Sequence, residues 1–379
     1  MPATATRRES GGGGTGVLLR RPALNRATLA RQGLLERWRM PVVEAVERLV
    51  GVQAQTPHSW YVGLGSRVKD VRPAEIGALL TERRLVRIAL MRSTIHLVTA
   101  RDCLALRPLV QPVIERGLAG NFGRRLAGLD RDELATAGRT LVEERPRTPS
   151  ELGRLLAERW PDRDPEALAQ AIRAWVPLVQ VPPRGVWGRG GPIAHTSAEV
   201  WVGRPAETEA SLDDLVLRYL ASFGPASVKD VQTWSGLTRL GAVFERLRPR
   251  LIAFRDEAGV ELFDRPEAPR PDPEMPAPPR FLYDFDNLLL SHADRSRVVT
   301  EAYRRQEFPP NVQPSVLLVD GVTAGTWTTE RQRGRATLAI RPLRPLSCGE
   351  RVAVAEEGAR LLTFVAEGED HDVRFVPPG

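Results

Sequence analysis

The 379-residue sequence predicts an α+β protein: three tandem winged helix-turn-helix units followed by a small C-terminal α/β module. Three observations predict it. Short helical stretches followed by a strand pair recur three times between residues 21 and 264. Residues 265–280 then hold seven prolines in sixteen positions, which breaks the pattern. From 281 to 379 the chain is strand-rich around one long helical stretch.

The elements follow in order. Residues 1–20 read as a disordered tail that carries the glycine run Gly11–Gly14. The first unit occupies 21–129. Apolar residues at helical spacing predict helices over 26–35 and 42–50, and Pro73 opens another over 74–80. Residues 85–98 are β-rich and partly alternating. The second unit occupies 130–205, with helices over 132–144 and 165–176. Between them, Thr148-Pro149-Ser150-Glu151 is an N-cap signature. A glycine-punctuated hairpin is expected over 179–202. The third unit, 206–264, is the clearest. Helices over 212–223, 228–234 and 240–247 are separated by Gly224-Pro225 and Ser235-Gly236, and Ser227 is placed as an N-cap. A hairpin follows, 251–254 with 260–263. The proline-rich stretch 265–280 is either a stiff linker or an ordered strap. Beyond it, 281–379 holds a hairpin around Asp320-Gly321, further strands at 336–340 and 373–376, and a helix over 351–364.

Composition narrows the function. Lys and Arg number 54 against 47 Asp and Glu, for a net charge of +7. Only Lys69 and Lys229 are lysines, so the positive charge is almost all arginine. Coding bias of a GC-rich genome accounts for part of that. Arginine is nonetheless always charged and can fork onto phosphates. Basic winged helices suit a nucleic-acid partner, although such modules also dock proteins. No apolar run is long enough to span a membrane, and the N-terminus lacks the apolar segment of a signal peptide. Cys103 and Cys348 stand alone, which fits a reducing cytoplasm. The five histidines never fall at metal-ligand spacing, so a zinc or iron enzyme is not expected.

Three segments could carry chemistry. In Gln53-Ala54-Gln55 two amides lie two residues apart, so on an extended backbone they share a face and could hold one water. Simple hydrogen bonding at a helix end is the plainer use of such residues. In Arg92-Ser93-Thr94-Ile95-His96, Thr94 and His96 also share a face and could line a pocket, or could be the wet side of a strand. The third runs from Phe281 through Asp284, Asp286 and His292 to Arg295 and Arg297. Asp284 and Asp286 could form a carboxylate pair for glycoside hydrolysis. Acids in a proline-flanked loop more often cap turns. Arg295 and Arg297 could reach phosphates.

Together these motifs resemble the winged-helix DNA glycosylases of the AlkZ type, which unhook interstrand crosslinks and release bulky N7-alkylated guanines. The resemblance spans 21–379. It is carried by Val52-Gln53-Ala54-Gln55, Arg92-Ser93-Thr94-Ile95-His96-Leu97, the stretch from Phe285 to Arg297, and Val319-Asp320-Gly321 through Trp327. None is specific alone, but the four in this order are. A Gln-apolar-Gln pair marks the branch associated with self-resistance to DNA-alkylating natural products, whereas a sister branch has Gln-apolar-Asp.

The resemblance implies a monofunctional glycosylase that binds double-stranded DNA carrying an alkylated guanine, acts as a monomer and uses no cofactor. Gln53 and Gln55 would position the attacking water. Thr94 and His96 would line or orient the pocket. Arg92, Arg295 and Arg297 would contact DNA, with a structural role as the alternative for the last two. Alkylation at N7 already makes guanine a cationic leaving group, so two amides suffice where a stronger base would otherwise be needed. The rival reading is a non-catalytic winged-helix DNA-binding protein such as a regulator. The two lysines lie outside the resembling motifs, which disfavours Schiff-base chemistry.

Overall fold

The computed structural model describes residues 17–205, 211–308 and 312–377. Most of the expected tail, 1–16, lies outside the described residues. Its last residues are ordered. Val17–Leu18 form a short strand, β1, and helix α1 (Arg21–Arg31) begins at Arg21 with Pro22 in its first turn.

The first unit continues with α2 (Val42–Arg48), β2 (Val52–Gln53), α3 (Ser59–Gly65), α4 (Pro73–Thr81), β3 (Leu85–Ala89) and β4 (Ile95–Thr99). Two helices then appear that periodicity does not predict, α5 (Ala100–Leu109) and α6 (Gln111–Phe122). Thr99 caps α5 by accepting the Asp102 amide N–H, while Pro108 lies inside its last turn. The second unit holds α7 (Arg131–Glu144), α8 (Pro149–Arg159) and α9 (Pro165–Trp175). The Thr148–Glu151 signature closes into a reciprocal capping box at the start of α8. Strands β5 (Leu178–Gln180) and β6 (His195–Ser197) follow, then α10 (Ala198–Val202). These strands are shorter than the hairpin expected over 179–202, and a loop joins them. That loop packs on α3: Tyr61 donates its hydroxyl to the Gly185 carbonyl at 2.8 Å.

The third unit has α11 (Leu212–Phe223), α12 (Val228–Ser235) and α13 (Gly241–Leu247), then the hairpin β7 (Ile252–Arg255) and β8 (Glu261–Asp264). Strand β1 runs parallel to β7, forming a sheet in the order β1-β7-β8. Beyond residue 280 come β9 (Arg280–Leu282), α14 (Glu301–Arg304), β10 (Ser315–Val319), β11 (Val322–Gln332), β12 (Arg335–Pro342), α15 (Cys348–Val365) and β13 (Asp370–Phe375). Their five strands form one sheet, β13-β12-β11-β10-β9.

Two features depart from a simple row of units. The hairpins of the first two units merge into one five-stranded sheet, β2-β4-β3-β5-β6, through the pairs Arg87–Gln180 and Ile88–Val179. The proline-rich segment is a strap rather than a free linker. Its carbonyls at Pro269 and Met275 accept from Arg31 and Arg26 of α1. Arg31 also forms a fully buried two-point ion pair with Asp264, at 2.7 and 2.8 Å. One hydrophobic core runs continuously from Val42 in the first unit to Ala366 at the end of α15. Strand β2 is an edge strand of its sheet, and its Val52 belongs to this core.

Candidate active site

Helix α2 ends at Arg48, and the chain turns through Val50 and Gly51, both at positive φ, to enter β2. A Cβ at Gly51 would lie 2.7 Å from Val98, so only glycine lets β2 come this close to β4. In the resulting register Gln53 stands opposite His96. The Ala54 N–H continues the ladder by donating to the Ile95 carbonyl at 2.7 Å. The ladder ends there: the Ile95 N–H turns to Gln55 Oε1 and the Ala54 carbonyl to Arg87, so Gln53 and His96 are the last paired residues at this edge, with Gln55 just past β2 and Thr94 just before β4.

The two glutamines differ in setting. Gln53 is 3% exposed. Its Oε1 accepts from Arg92 Nη2 at 2.6 Å, and its backbone carbonyl accepts from the Tyr283 hydroxyl at 2.8 Å. Gln55 is exposed, and its Oε1 accepts from the Ile95 amide N–H at 3.2 Å. Both donors can only donate, which fixes which end of each amide is oxygen. Between them Ala54 is buried, and its carbonyl accepts from Arg87 Nη2 at 2.8 Å.

Arg92 and Ser93 both have left-handed backbones, with φ of 55° and 60°, in the short connection between β3 and β4. Arg92 was expected to contact DNA. Its guanidinium is instead spent inside the protein, one arm on Gln53 and the other on the Trp234 carbonyl. Burial lowers its pKa to about 10, which leaves it charged at neutral pH. Thr94 donates its hydroxyl to the Met91 carbonyl at 3.0 Å.

His96 is completely buried, and burial, with the Arg92 charge adding to it, lowers its pKa to about 3. The ring is thus neutral. Its Nδ1 donates to the Thr94 carbonyl at 3.0 Å, and Nε2 is a buried acceptor with no protein partner. His96 is part of the wall behind Gln53 and has no exposed surface.

Arg295 is exposed, as a phosphate contact requires. Arg297 is not. It is 6% exposed and donates to the Pro225 carbonyl at 2.9 Å, with Thr28 Oγ1 at 3.4 Å. The expectation of a DNA contact from Arg297 is corrected: its head group is closed off, and the structural alternative fits. The carboxylate-pair idea also falls. Asp286 is buried and bound two-point by Arg67, at 2.6 and 2.8 Å, while Asp284 accepts from Thr56 Oγ1 at 2.6 Å.

Sequence reasoning missed the two supports behind Gln53. Tyr283 holds its main-chain carbonyl and Arg92, itself held by the Trp234 carbonyl, holds its side chain, while Asn287 donates to the Gly51 carbonyl at 3.0 Å. Tyr283 and Asn287 do lie in a segment singled out from the sequence, but as neighbours of phosphate-binding arginines. Among the described residues no group of His, Cys, Asp or Glu is placed to hold a metal ion, and no helix is long and apolar enough to cross a membrane.

The comparisons with known proteins bear on the family and on the mixed α+β fold. Residues 46–364 match the family described as DNA glycosylase AlkZ-like. The chain belongs to the AlkZ-like family and is a DNA glycosylase. Its fold is similar to that of the Streptomyces sahachiroi DNA glycosylase AlkZ, with a TM-score of 0.74 and 21% identity, over 94% of this chain and 99% of that one. No curated protein sequence matches significantly.

Proposed function

We propose that the substrate is duplex DNA carrying an N7-alkylated guanine, a bulky adduct or an interstrand crosslink, and that the reaction is simple hydrolysis. The observation that carries this reading is the pair Gln53 and Gln55, at one sheet edge, each with its amide oxygen oriented by a fixed donor. Each oxygen keeps a second lone pair to accept from a water. The water oxygen attacks C1′ as the C1′–N9 bond breaks. The bonding electrons go to the purine and neutralise its N7 charge, and the water's proton leaves to solvent. Neither amide is a strong base, so the site depends on a base that is already cationic.

Thr94 shapes the face and His96 backs it. Arg295 contacts the DNA backbone. The three helix groups act as winged-helix units around the duplex, although the first two share a sheet, and the protein works as a monomer. Lys69 and Lys229 are exposed and outside the Gln53 face, which supports hydrolysis over Schiff-base cleavage. Release of a natural-product adduct would make this a self-resistance enzyme.

The test is a duplex with one N7-methylguanine and a second with a bulky N7 adduct. Free base and alkali-labile abasic sites are expected from both. Binding without either product overturns the substrate assignment.

A further inference from the structure

We propose that Arg92 is a positioning residue: it locks the amide of Gln53 in one orientation and ties that orientation to the seat of α12. The inference rests on the assignment of Gln53 to the water site.

A glutamine amide is nearly symmetric in shape, and turning it over exchanges an acceptor for two donors. At a water-positioning site that exchange removes the function. Something must therefore choose the orientation, and a donor-only neighbour does so at no cost in specificity. Arg92 Nη2 is that neighbour, 2.6 Å from Gln53 Oε1. A charged donor makes this bond stronger than a neutral one would.

The guanidinium is itself held. Its other arm donates to the Trp234 carbonyl, in the last turn of α12, where the helix dipole favours a cation. Helix α12 is fixed at both ends. At its start Ser227 and Asp230 form a capping box, and Asp230 Oδ1 also accepts the Ala293 N–H at 2.8 Å. At its end Gly236, at φ 80°, packs so closely that a Cβ would meet Val113 at 2.7 Å and the Arg92 backbone at 3.4 Å.

The left-handed backbones of Arg92 and Ser93 fit the same purpose. Two successive non-glycine residues at positive φ are costly, and such strain persists only where surrounding contacts demand it. Here they aim the guanidinium between Gln53 and Trp234. Tyr283 holds the Gln53 main chain by a separate bond to its carbonyl. Backbone and side chain of Gln53 are thus fixed by different elements.

Two readouts test this. The first is steady-state base release from a duplex carrying one N7-methylguanine, for wild type, Arg92→Ala, Gln53→Ala and the double variant. Arg92→Ala is expected to lower kcat about 10- to 100-fold with KM within about 3-fold, and the double variant should be no slower than Gln53→Ala alone. An unchanged kcat, or a double variant that multiplies the two losses, overturns the proposal. Arg92→Lys keeps the charge but not the fork, and is expected between wild type and Arg92→Ala; full activity overturns the two-point lock. It replaces Arg92→Ala in the comparison if the latter does not fold.

The second readout is the side-chain amide signal of Gln53 in 15N-glutamine-labelled protein, identified by its loss in Gln53→Ala. It should move to the free-amide position in the Arg92 variant. An unmoved signal overturns the lock. This holds even if wild type releases no base, an outcome that would overturn only the substrate reading.

Discussion

The edge strand with Gln53 and Gln55 and the segment Phe285–Arg297 both stand out in the sequence as dense in polar residues, yet the structure uses them in opposite ways. The first keeps an exposed amide at the rim of a sheet. The second turns inward. Asp286 pairs with Arg67, Asn287 reaches Gly51, His292 donates to the Phe223 carbonyl at 3.0 Å, and Arg297 holds the turn at Pro225. It is a hub that joins the first unit, the third unit and the C-terminal sheet. A run of charged and polar residues can thus mark a junction as readily as a site. What separates them is whether each head group is already satisfied within the protein.

Acid should give the largest effect on either region. His96 in the first and His292 in the second are held neutral, with pKa values near 3, and His195 near 4, by burial first and by nearby arginines second. Unfolded histidine takes a proton near pH 6.5. Their contribution is therefore present in full above about pH 6.5 and is lost as pH falls towards the folded values. Urea midpoints between pH 7 and pH 4 should decline steadily. A flat profile would show that these rings are not buried.

Next comes the hub. Asp286→Asn leaves Arg67 buried without its counter-charge and should cost about 3–5 kcal/mol in denaturant unfolding. A loss of activity with unchanged stability would instead place Asp286 in the chemistry. Gln53→Ala should do the reverse. Base release should fall about 100-fold with DNA binding intact, at a smaller stability cost of about 1–3 kcal/mol for the Arg92 donor left unpaired. The smallest effects separate the two arginines. Arg297→Ala should cost about 1–3 kcal/mol of stability and leave the salt dependence of DNA binding unchanged. Arg295→Ala should lower the slope of log K against log salt by about 1 and leave stability alone. If the two arginines behave alike, the contrast fails.

What was legible in the sequence follows the same division. Local patterns carried through. Helix α11 has a clean amphipathic period, and the capping boxes at Thr148 and Ser227 mark where α8 and α12 begin. Gln53 and Gln55 stood out from their spacing, and both lie at the same sheet edge, Gln53 in β2 and Gln55 just past it. Helices α5 and α6 were missed because Pro108 and Pro112 interrupt the period, although Thr99 and Asp102 form a start signal inside what reads as the end of a strand. The fate of Arg92 and Arg297 was not legible. A guanidinium's partner is chosen by tertiary contacts, and neither Trp234 nor Pro225 is near its arginine in the chain.

The bonds of α1 have a consequence for how the protein is made. Asp320, the partner of Arg26, lies 294 residues further along the chain, and Asp264, the partner of Arg31, 233 residues further. At a synthesis rate of about 5–20 residues per second, α1 leaves the ribosome roughly 15–60 s before its farthest ion-pair partner exists. Until α11 is made, α1 lacks the helix it packs on and Arg31 lacks its Leu220 acceptor, and Arg26 waits longest for Asp320. An early helix of the chain is thus among the last to be fully secured, and a nascent chain stalled before α11 leaves it without its packing partner.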